Sequence, residues 1–245
     1  MENLTGTIPD INLANAIKEA IGLSSEEAIP LKELKELKDL KAEEKEIKDL
    51  TGLESATGLI VLELQKNHIS DIRPIAGLTK LTYLEFWDNQ ISDISPLADL
   101  AQLTKLGLGK NRISDITSLA GLRKLTEMGL WDNQIKDLSP LENLKQMEIL
   151  NIRRNLLKDI SPLSNLSELT HLWLSGNQIS DISPLAGLKQ LTHLALDENQ
   201  ITDIDIIENL MNLKQLNIKN NPLQDLKSLN RLKKQMPDLV LDTGE

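Results

Sequence analysis

The stretch from Leu81 to Asn89 reads LTYLEFWDN and sets the pattern for the rest of the chain. Successive side chains of a β-strand point to opposite faces. Read as a strand, the stretch places Leu84 and Phe86 on one face. The other face carries three residues, Tyr83, Glu85 and Trp87. The first face predicts a buried core, and the second predicts a surface that is free for another task.

Asparagine recurs every 22 residues, at positions 67, 89, 111, 133, 155, 177, 199 and 221. Around each asparagine the chain follows the pattern L-x-x-L-x-L-x-x-N-x-I-x-D-I-x-P-L-x-x-L. This period and signature predict leucine-rich repeats. One short coil cannot bury its aliphatic side chains alone, so neighbouring coils stack and their strands pair in parallel at about 4.8 Å.

Two polar columns accompany the leucines. Each Asn is predicted to bond to backbone groups of its own and the adjacent turn, and Lys45 replaces it in a degenerate first coil. Aspartate recurs at 49, 71, 93, 115, 137, 159, 181, 203 and 225. Each Asp is predicted to cap a short helical turn, and Ser95–Pro96 and its equivalents fit this prediction because Pro suits the first position of such a turn. A calcium-binding ladder is the alternative, although one carboxylate per coil falls short of the six or more oxygens that calcium takes.

The ends of the chain differ from the repeats. Asp10 is predicted to cap a helix over 11–21 that Gly22 ends, and Pro30 to open a second helix. The apolar face of the first helix is predicted to hold Leu13, Ala14, Ile17, Ala20 and Ile21. A helix over 223–236 and a strand over 237–241 are predicted to close the other end. The chain then divides into an N-terminal cap (1–58), repeats (59–222) and a C-terminal cap (223–245), all one continuous domain.

Composition restricts the partners. The formal net charge is −10 and the pI is near 4.9, which disfavours nucleic acid and anionic membranes. The sequence has no cysteine, so disulfides and thiolate metal sites are excluded. No apolar run is long enough to span a bilayer, and we expect no signal peptide at the N-terminus.

The spacing, the wording NQISDISPLADL at 89–100 and NQISDISPLAGL at 177–188, and the helical N-terminal segment resemble the internalin-type leucine-rich repeat proteins of bacteria. The resemblance implies an α/β solenoid, a right-handed superhelix with a concave parallel sheet and short 3₁₀ turns on the convex side. It also implies protein partners on the concave face and a secreted or cell-surface location. Cytosolic phosphatase-regulating proteins share the 22-residue coil, so a cytoplasmic location stays the alternative. From this sequence we expect neither an immunoglobulin-like domain nor a wall-anchoring tail after the repeats.

Outward strand positions form columns that vary from coil to coil, and four of the five aromatics lie in them. Aromatic side chains on a rigid sheet are typical anchors of protein recognition. Trp87 and Trp131 lie two coils apart, and Gly107, Gly109 and Gly129 leave the space between them bare. We therefore predict an aromatic slot with mostly acidic surroundings that suits a partner carrying Lys or Arg. The predicted partner-binding residues are Tyr83, Glu85, Trp87, Asp88, Glu127, Trp131, Asp132, Arg153 and Trp173.

Other functions have weaker support in the sequence. His171 and His193 are column neighbours, but a zinc site needs three or four convergent ligands. No catalytic triad, phosphate loop or dinucleotide motif occurs, so we predict a protein that is not an enzyme and needs no cofactor. The function predicted is a monomeric protein- or peptide-binding module. A carbohydrate-binding surface on the same aromatics and a purely structural scaffold are the alternatives.

Overall fold

A computed structural model describes residues 7–224 and 226–244, which fall into two compact units that divide after Leu125. The first unit begins with helices α1 (Ile11–Ile21) and α2 (Leu31–Glu36). Four strands follow: β1 (Asp39–Lys41), β2 (Val61–Glu63), β3 (Tyr83–Glu85) and β4 (Lys105–Gly107). They pair in parallel in chain order, with Leu40, Leu62, Leu84 and Leu106 in register.

The second unit has six described strands and one described helix. The strands are β5 (Glu127–Gly129), β6 (Ile149–Asn151), β7 (His171–Trp173), β8 (His193–Ala195), β9 (Gln215–Asn217) and β10 (Val240–Asp242). They too pair in parallel in chain order. Helix α3 (Leu226–Gln235) lies between β9 and β10 in the chain. Parallel strands require long crossovers, and here each crossover is the remainder of one coil.

Every crossover from β1 to β9 contains a short 3₁₀ turn, and the crossover from β9 to β10 contains α3. The turns of the first unit are Leu53–Ser55, Arg73–Ile75, Ser95–Leu97 and Thr117–Gly121. Those of the second unit are Ser139–Leu141, Ser161–Asn165, Ser183–Gly187 and Asp205–Asn209. The leucine and isoleucine columns between strands and turns are fully or almost fully buried. The predicted class is therefore confirmed: parallel strands alternate with 3₁₀ turns around an aliphatic core.

The asparagine column bonds as the sequence predicts. Asn155 is 5% exposed, and its Nδ2 donates to the carbonyl oxygens of Ile152 and Arg153 in its own coil, at 3.1 and 3.2 Å. The same Nδ2 lies 3.0 Å from the carbonyl oxygen of Leu130, and its Oδ1 accepts the Ile135 amide at 3.0 Å. One side chain thus satisfies backbone groups of two coils, which would otherwise be buried without partners.

The aspartate column caps the 3₁₀ turns. In seven described coils the Oδ1 of Asp accepts the amide of the first residue of the following turn, at Asp71, Asp93, Asp115, Asp137, Asp159, Asp181 and Asp203. At Asp159 the donors are the backbone amide (2.8 Å) and the hydroxyl (3.0 Å) of Ser161, and they lower its pKa from the ordinary value of an aspartate. Asp225 lies outside the described residues.

The N-terminal cap is organised by Asp10. Its Oδ1 accepts the amides of Asn12 and Leu13 at the start of α1, and its Oδ2 accepts the amides of Lys48 and Asp49 in the first coil. One carboxylate therefore caps the helix and fastens it to the repeats. Gly22 ends α1 in the left-handed conformation, as predicted.

Three local predictions differ from the structure. In α1 the buried residues are Leu13, Ala14, Ala16 and Ile17, whereas Ala20 is exposed because the helix packs through its first two turns. Helix α3 begins at Leu226, three residues later than predicted. The amides of Leu223 and Gln224 donate to the carbonyl oxygens of Asn221 and Thr202 instead. The last strand likewise runs from Val240 to Asp242, after a turn at Pro237 and Asp238.

Replacing the buried asparagine tests the ladder. We expect Asn155→Ala to lower the free energy of unfolding by about 2–4 kcal/mol, because carbonyl and amide groups lose their partner. Urea denaturation followed by circular dichroism measures the loss. The exposed Asn143→Ala is the control, with an expected change within about 0.5 kcal/mol. Equal losses for the two variants would show that the ladder does not stabilise the stack.

Acid should weaken the caps. A carboxylate whose folded pKa is depressed contributes stability that is present above its unfolded pKa and is lost as pH falls through the folded pKa. Asp159→Asn keeps the acceptor oxygen but cannot titrate. We expect the stability difference between wild type and Asp159→Asn to be constant above about pH 5 and to shrink below about pH 4. Urea midpoints from pH 7 to pH 3 check this, and a difference that does not change with pH contradicts it.

Candidate functional site

The first unit holds four of the predicted binding residues. Tyr83 and Glu85 lie in β3, and Trp87 and Asp88 follow it directly. All four are half-buried, whereas Leu84 and Phe86 between them are fully buried. The alternation predicted from the sequence is therefore confirmed, and it places Tyr83, Glu85 and Trp87 on the face that points away from the core.

A cation of the chain lies on the Trp87 ring. The Lys66 Nζ is 5.1 Å from the ring centroid, within the range of a cation–π contact. It also lies 3.0 Å from Glu43 Oε1 and 2.6 Å from Glu44 Oε1. The carboxylates hold the ammonium group and the ammonium group covers part of the ring, so this face of Trp87 is already ordered.

Each coil has three outward positions, such as Tyr83, Glu85 and Trp87. The residue directly after the third of them adopts a left-handed backbone conformation. Lys66, Asp88 and Lys110 have φ of 55°, 58° and 54°. In this column of the first unit, opposite charges follow one another and pair across neighbouring coils: Lys110 Nζ lies 2.7 Å from Asp88 Oδ2. Asp88 is thus neutralised within its own unit, so the surroundings are less acidic than the sequence predicted.

The space above Gly107 is also different from the prediction. A Cβ at this position would overlap the Glu85 carboxylate, which lies across the glycine in the neighbouring coil. Gly107 is buried, and it leaves room for Glu85 of its own sheet. The expectation that this glycine leaves bare space is therefore wrong.

The second unit holds the other five predicted residues. Glu127 lies in β5, Trp131 and Asp132 follow that strand, Arg153 follows β6, and Trp173 is the last residue of β7. The Arg153 guanidinium carbon is 5.4 Å from the centroid of the Trp131 ring. Trp87 belongs to the first unit and Trp131 to the second, and the aromatic slot stays a prediction.

Aromatic rings form a row on the second unit. The His171 ring stacks on the His193 ring at 4.3 Å between centroids and 9° between planes, and it lies 5.6 Å from the Trp173 ring. Each imidazole Nδ1 lies 2.9 Å from the hydroxyl of the preceding threonine, Thr170 or Thr192. Burial, the neighbouring imidazole and Lys214 lower the pKa of His193. Parallel rings do not converge on one point, and the described residues contain no group of three or more side chains placed to hold a metal.

A groove of about 570 Å³ lies on the outward face of the second unit. Its lining crosses five coils, from Arg153 and Arg154 after β6 to Val240 and Asp242 in β10. Between these ends the chain supplies small residues, Ser175, Gly176 and Ala195. The volume is typical of a ligand-binding cleft. The groove contains two of the residues predicted from sequence, Arg153 and Trp173.

The sequence prediction missed several residues of this groove. Arg154, Glu198, Val240 and Asp242 line it but were not among the predicted binding residues. The available signal was Gly176, which has φ of +67° in a column otherwise filled by larger residues. A Cβ on Gly176 would lie 3.2 Å from Arg154 Cγ, so the glycine lets the arginine stem lie across it.

Comparison with known proteins places the chain in a family. The family model described as Leucine Rich repeats (2 copies) matches residues 57–99, 79–121, 123–165, 167–209 and 189–231. No curated protein sequence gives a significant match. The crystal structure of an internalin (inlF) from Listeria monocytogenes is 35% identical with a TM-score of 0.93, over 100% of this chain and 73% of that chain. Internalin C2 (inlC2) of the same species is 38% identical with a TM-score of 0.86, over 89% of this chain and 99% of that chain.

The chain therefore belongs to the leucine-rich-repeat family, and within it to the internalin type. A more distant relative is the plant peptide hormone receptor RGFR1, solved in complex with RGF2. It is 27% identical with a TM-score of 0.71, over 86% of this chain and 36% of that chain. Proteins of this family are typically binding modules without enzymatic activity, so the fold supports a protein-binding module. Within the described residues, every helix is too short or too polar to cross a bilayer.

Gly176 gives a test of the groove geometry. We expect Gly176→Ala to lower the free energy of unfolding by about 1 kcal/mol, because a left-handed backbone disfavours a Cβ. Gly187→Ala is the matched control, since the nearest atom to its Cβ would be Ser164 O at 3.8 Å and its φ is not positive. It should change stability by about 0.5 kcal/mol or less, measured by urea unfolding. A loss of the same size in both variants would contradict the strain assigned to Gly176.

Proposed function

We propose that the chain is a monomeric, non-enzymatic module that binds a protein or peptide on the outward, concave face of its parallel sheet. The observation that carries this proposal is the placement of the aromatics. Four aromatic residues are half-buried at outward positions, which do not belong to the aliphatic core: Tyr83, Trp87, Trp131 and Trp173. Large rings on a rigid backbone supply contact area at a small cost in conformational entropy.

The contacts around the tryptophans support a polypeptide ligand. Lys66 covers part of Trp87 and Arg153 covers part of Trp131, so each ring stands beside a charged group. A surface with both aromatic area and charge fits the side chains and backbone of a polypeptide. A sugar that stacks on the ring faces would compete with these cations. This competition favours a polypeptide ligand over a carbohydrate ligand. The predicted residues Glu85, Asp88, Glu127 and Asp132 supply further polar contacts.

Tryptophan substitutions test the proposal. A displayed library of random dodecapeptides is selected against the full chain, and enriched peptides are measured for affinity. We expect each of the variants Trp87→Ala, Trp131→Ala and Trp173→Ala to weaken the peptides that bind at the substituted tryptophan. The expected loss of affinity is roughly 30-fold, the effect of losing a central anchor. Ile11→Ala is the control, because Ile11 is a 65% exposed apolar residue on α1.

The affinities of the enriched peptides for the tryptophan variants can refute the proposal. If enriched peptides bind all three tryptophan variants as they bind wild type, with circular dichroism showing an intact fold, the outward face is not the binding surface. A glycan array serves as the parallel assay, and strong hits there that depend on the same tryptophans would favour carbohydrate. Light scattering at the protein concentrations of these assays checks that the chain is a monomer.

A further inference from the structure

We infer that the groove of the second unit selects an extended peptide segment with an acidic side chain about three residues before or after a basic one. The inference rests on the proposed function and specifies its ligand. It is carried by the arrangement of charge along the groove: arginines at one end, carboxylates two coils away, and small residues between them.

The basic end is formed by Arg153 and Arg154. Both side chains are exposed, and among the described residues neither has a carboxylate within ion-pairing distance. Some described cations of this acidic chain do have such partners, as Lys110 has Asp88 and Arg231 has Asp205. Two adjacent unpaired guanidinium groups at a groove favour an acidic group in the ligand.

The arginines are held in place by their neighbours. Arg153 rests on the Trp131 ring, and the stem of Arg154 lies across Gly176. Less side-chain freedom is therefore lost when a ligand binds, so more of the ion-pair energy contributes to affinity.

The acidic end is formed by Asp197 and Glu198, two coils further along. Asp197 accepts a hydrogen bond from Ser175, which lies between it and Arg153 in the same column. Among the described residues, the Glu198 side chain has no hydrogen bond or ion pair. Asp242, which Lys219 approaches to 3.4 Å, adds a further carboxylate at the far end. A ligand that carries only negative charge, such as a nucleic acid, would be repelled here.

The distance between the ends sets the spacing in the ligand. Two coil steps of about 4.8 Å separate the columns by about 10 Å. An extended polyproline II segment rises about 3.1 Å per residue with three residues per turn, so side chains at i and i+3 share a face about 9 Å apart. The small residues Ser175, Gly176 and Ala195 leave room for the intervening backbone, and Trp173 and Val240 give it apolar contacts.

The test uses the dodecapeptides selected on the full wild-type chain. We expect peptides whose binding depends on Trp173 to be enriched in an acidic and a basic residue three positions apart. Arg154→Glu should weaken these peptides roughly tenfold and should shift a new selection toward a basic or neutral residue in place of the acidic one. Replacing the acidic residue of the peptide with lysine should restore binding to Arg154→Glu.

Lys158→Glu is the matched control, because it makes the same charge change in the same coil at an exposed position outside the groove. It should leave both the enriched pattern and the affinities unchanged. Peptides that depend on Trp173 but show no charged pair at this spacing would overturn the inference while the proposed function stands. Failure to enrich any peptide on wild type would overturn both. The lysine-substituted peptide separates a lost contact from a damaged fold, because a misfolded variant cannot regain binding.

Discussion

The buried asparagine amide is the interaction on which the rest of the structure depends. The 22 residues of one coil do not supply hydrogen-bond partners for all backbone groups of its own inward turn, and leucine side chains form no hydrogen bonds. Asn199 shows the solution: its Nδ2 donates to Leu196 in its own coil and to Leu174 in the coil before, and its Oδ1 accepts the amide of Ile179. Each coil is therefore incomplete without a neighbour, and stacking follows from hydrogen bonding as much as from apolar burial.

This constraint divides the residues of each coil between two independent roles. Leucine, asparagine and aspartate positions are fixed because they complete the stack or cap its turns. The outward positions take no part in these contacts, so they can vary without disturbing the core. The residues with a left-handed backbone that follow the strands form a column of this variable kind. In the first unit it alternates in charge, with Lys66 beside Glu44 and Lys110 beside Asp88, whereas in the second unit Gly176 follows Arg154 and the alternation stops.

The sequence was sufficient for most of the fold and for only part of the candidate site. Strands, 3₁₀ turns and both polar columns were predictable because each is encoded by residues of a single coil and repeated. Ala20 and the start of α3 were predicted wrongly because they depend on where an end segment packs, which periodicity does not describe. Gly107 was read as empty space because its occupant, the Glu85 carboxylate, comes from another coil. The groove was missed for the same reason, since its lining comes from five coils and depends on side-chain directions.

A regular stack also determines how specificity can arise. Its backbone offers nearly the same surface at every coil, so affinity along the sheet must come from a few anchors and not from area. On the second unit, the row of Trp173, His171 and His193 rings supplies an aromatic border, and Arg154 lies across Gly176 instead of extending freely. Such pre-ordered groups lose little entropy on binding. Because most outward side chains lie outside the core columns, the same stack can acquire a different ligand through changes at a few outward positions, with its asparagine ladder left intact.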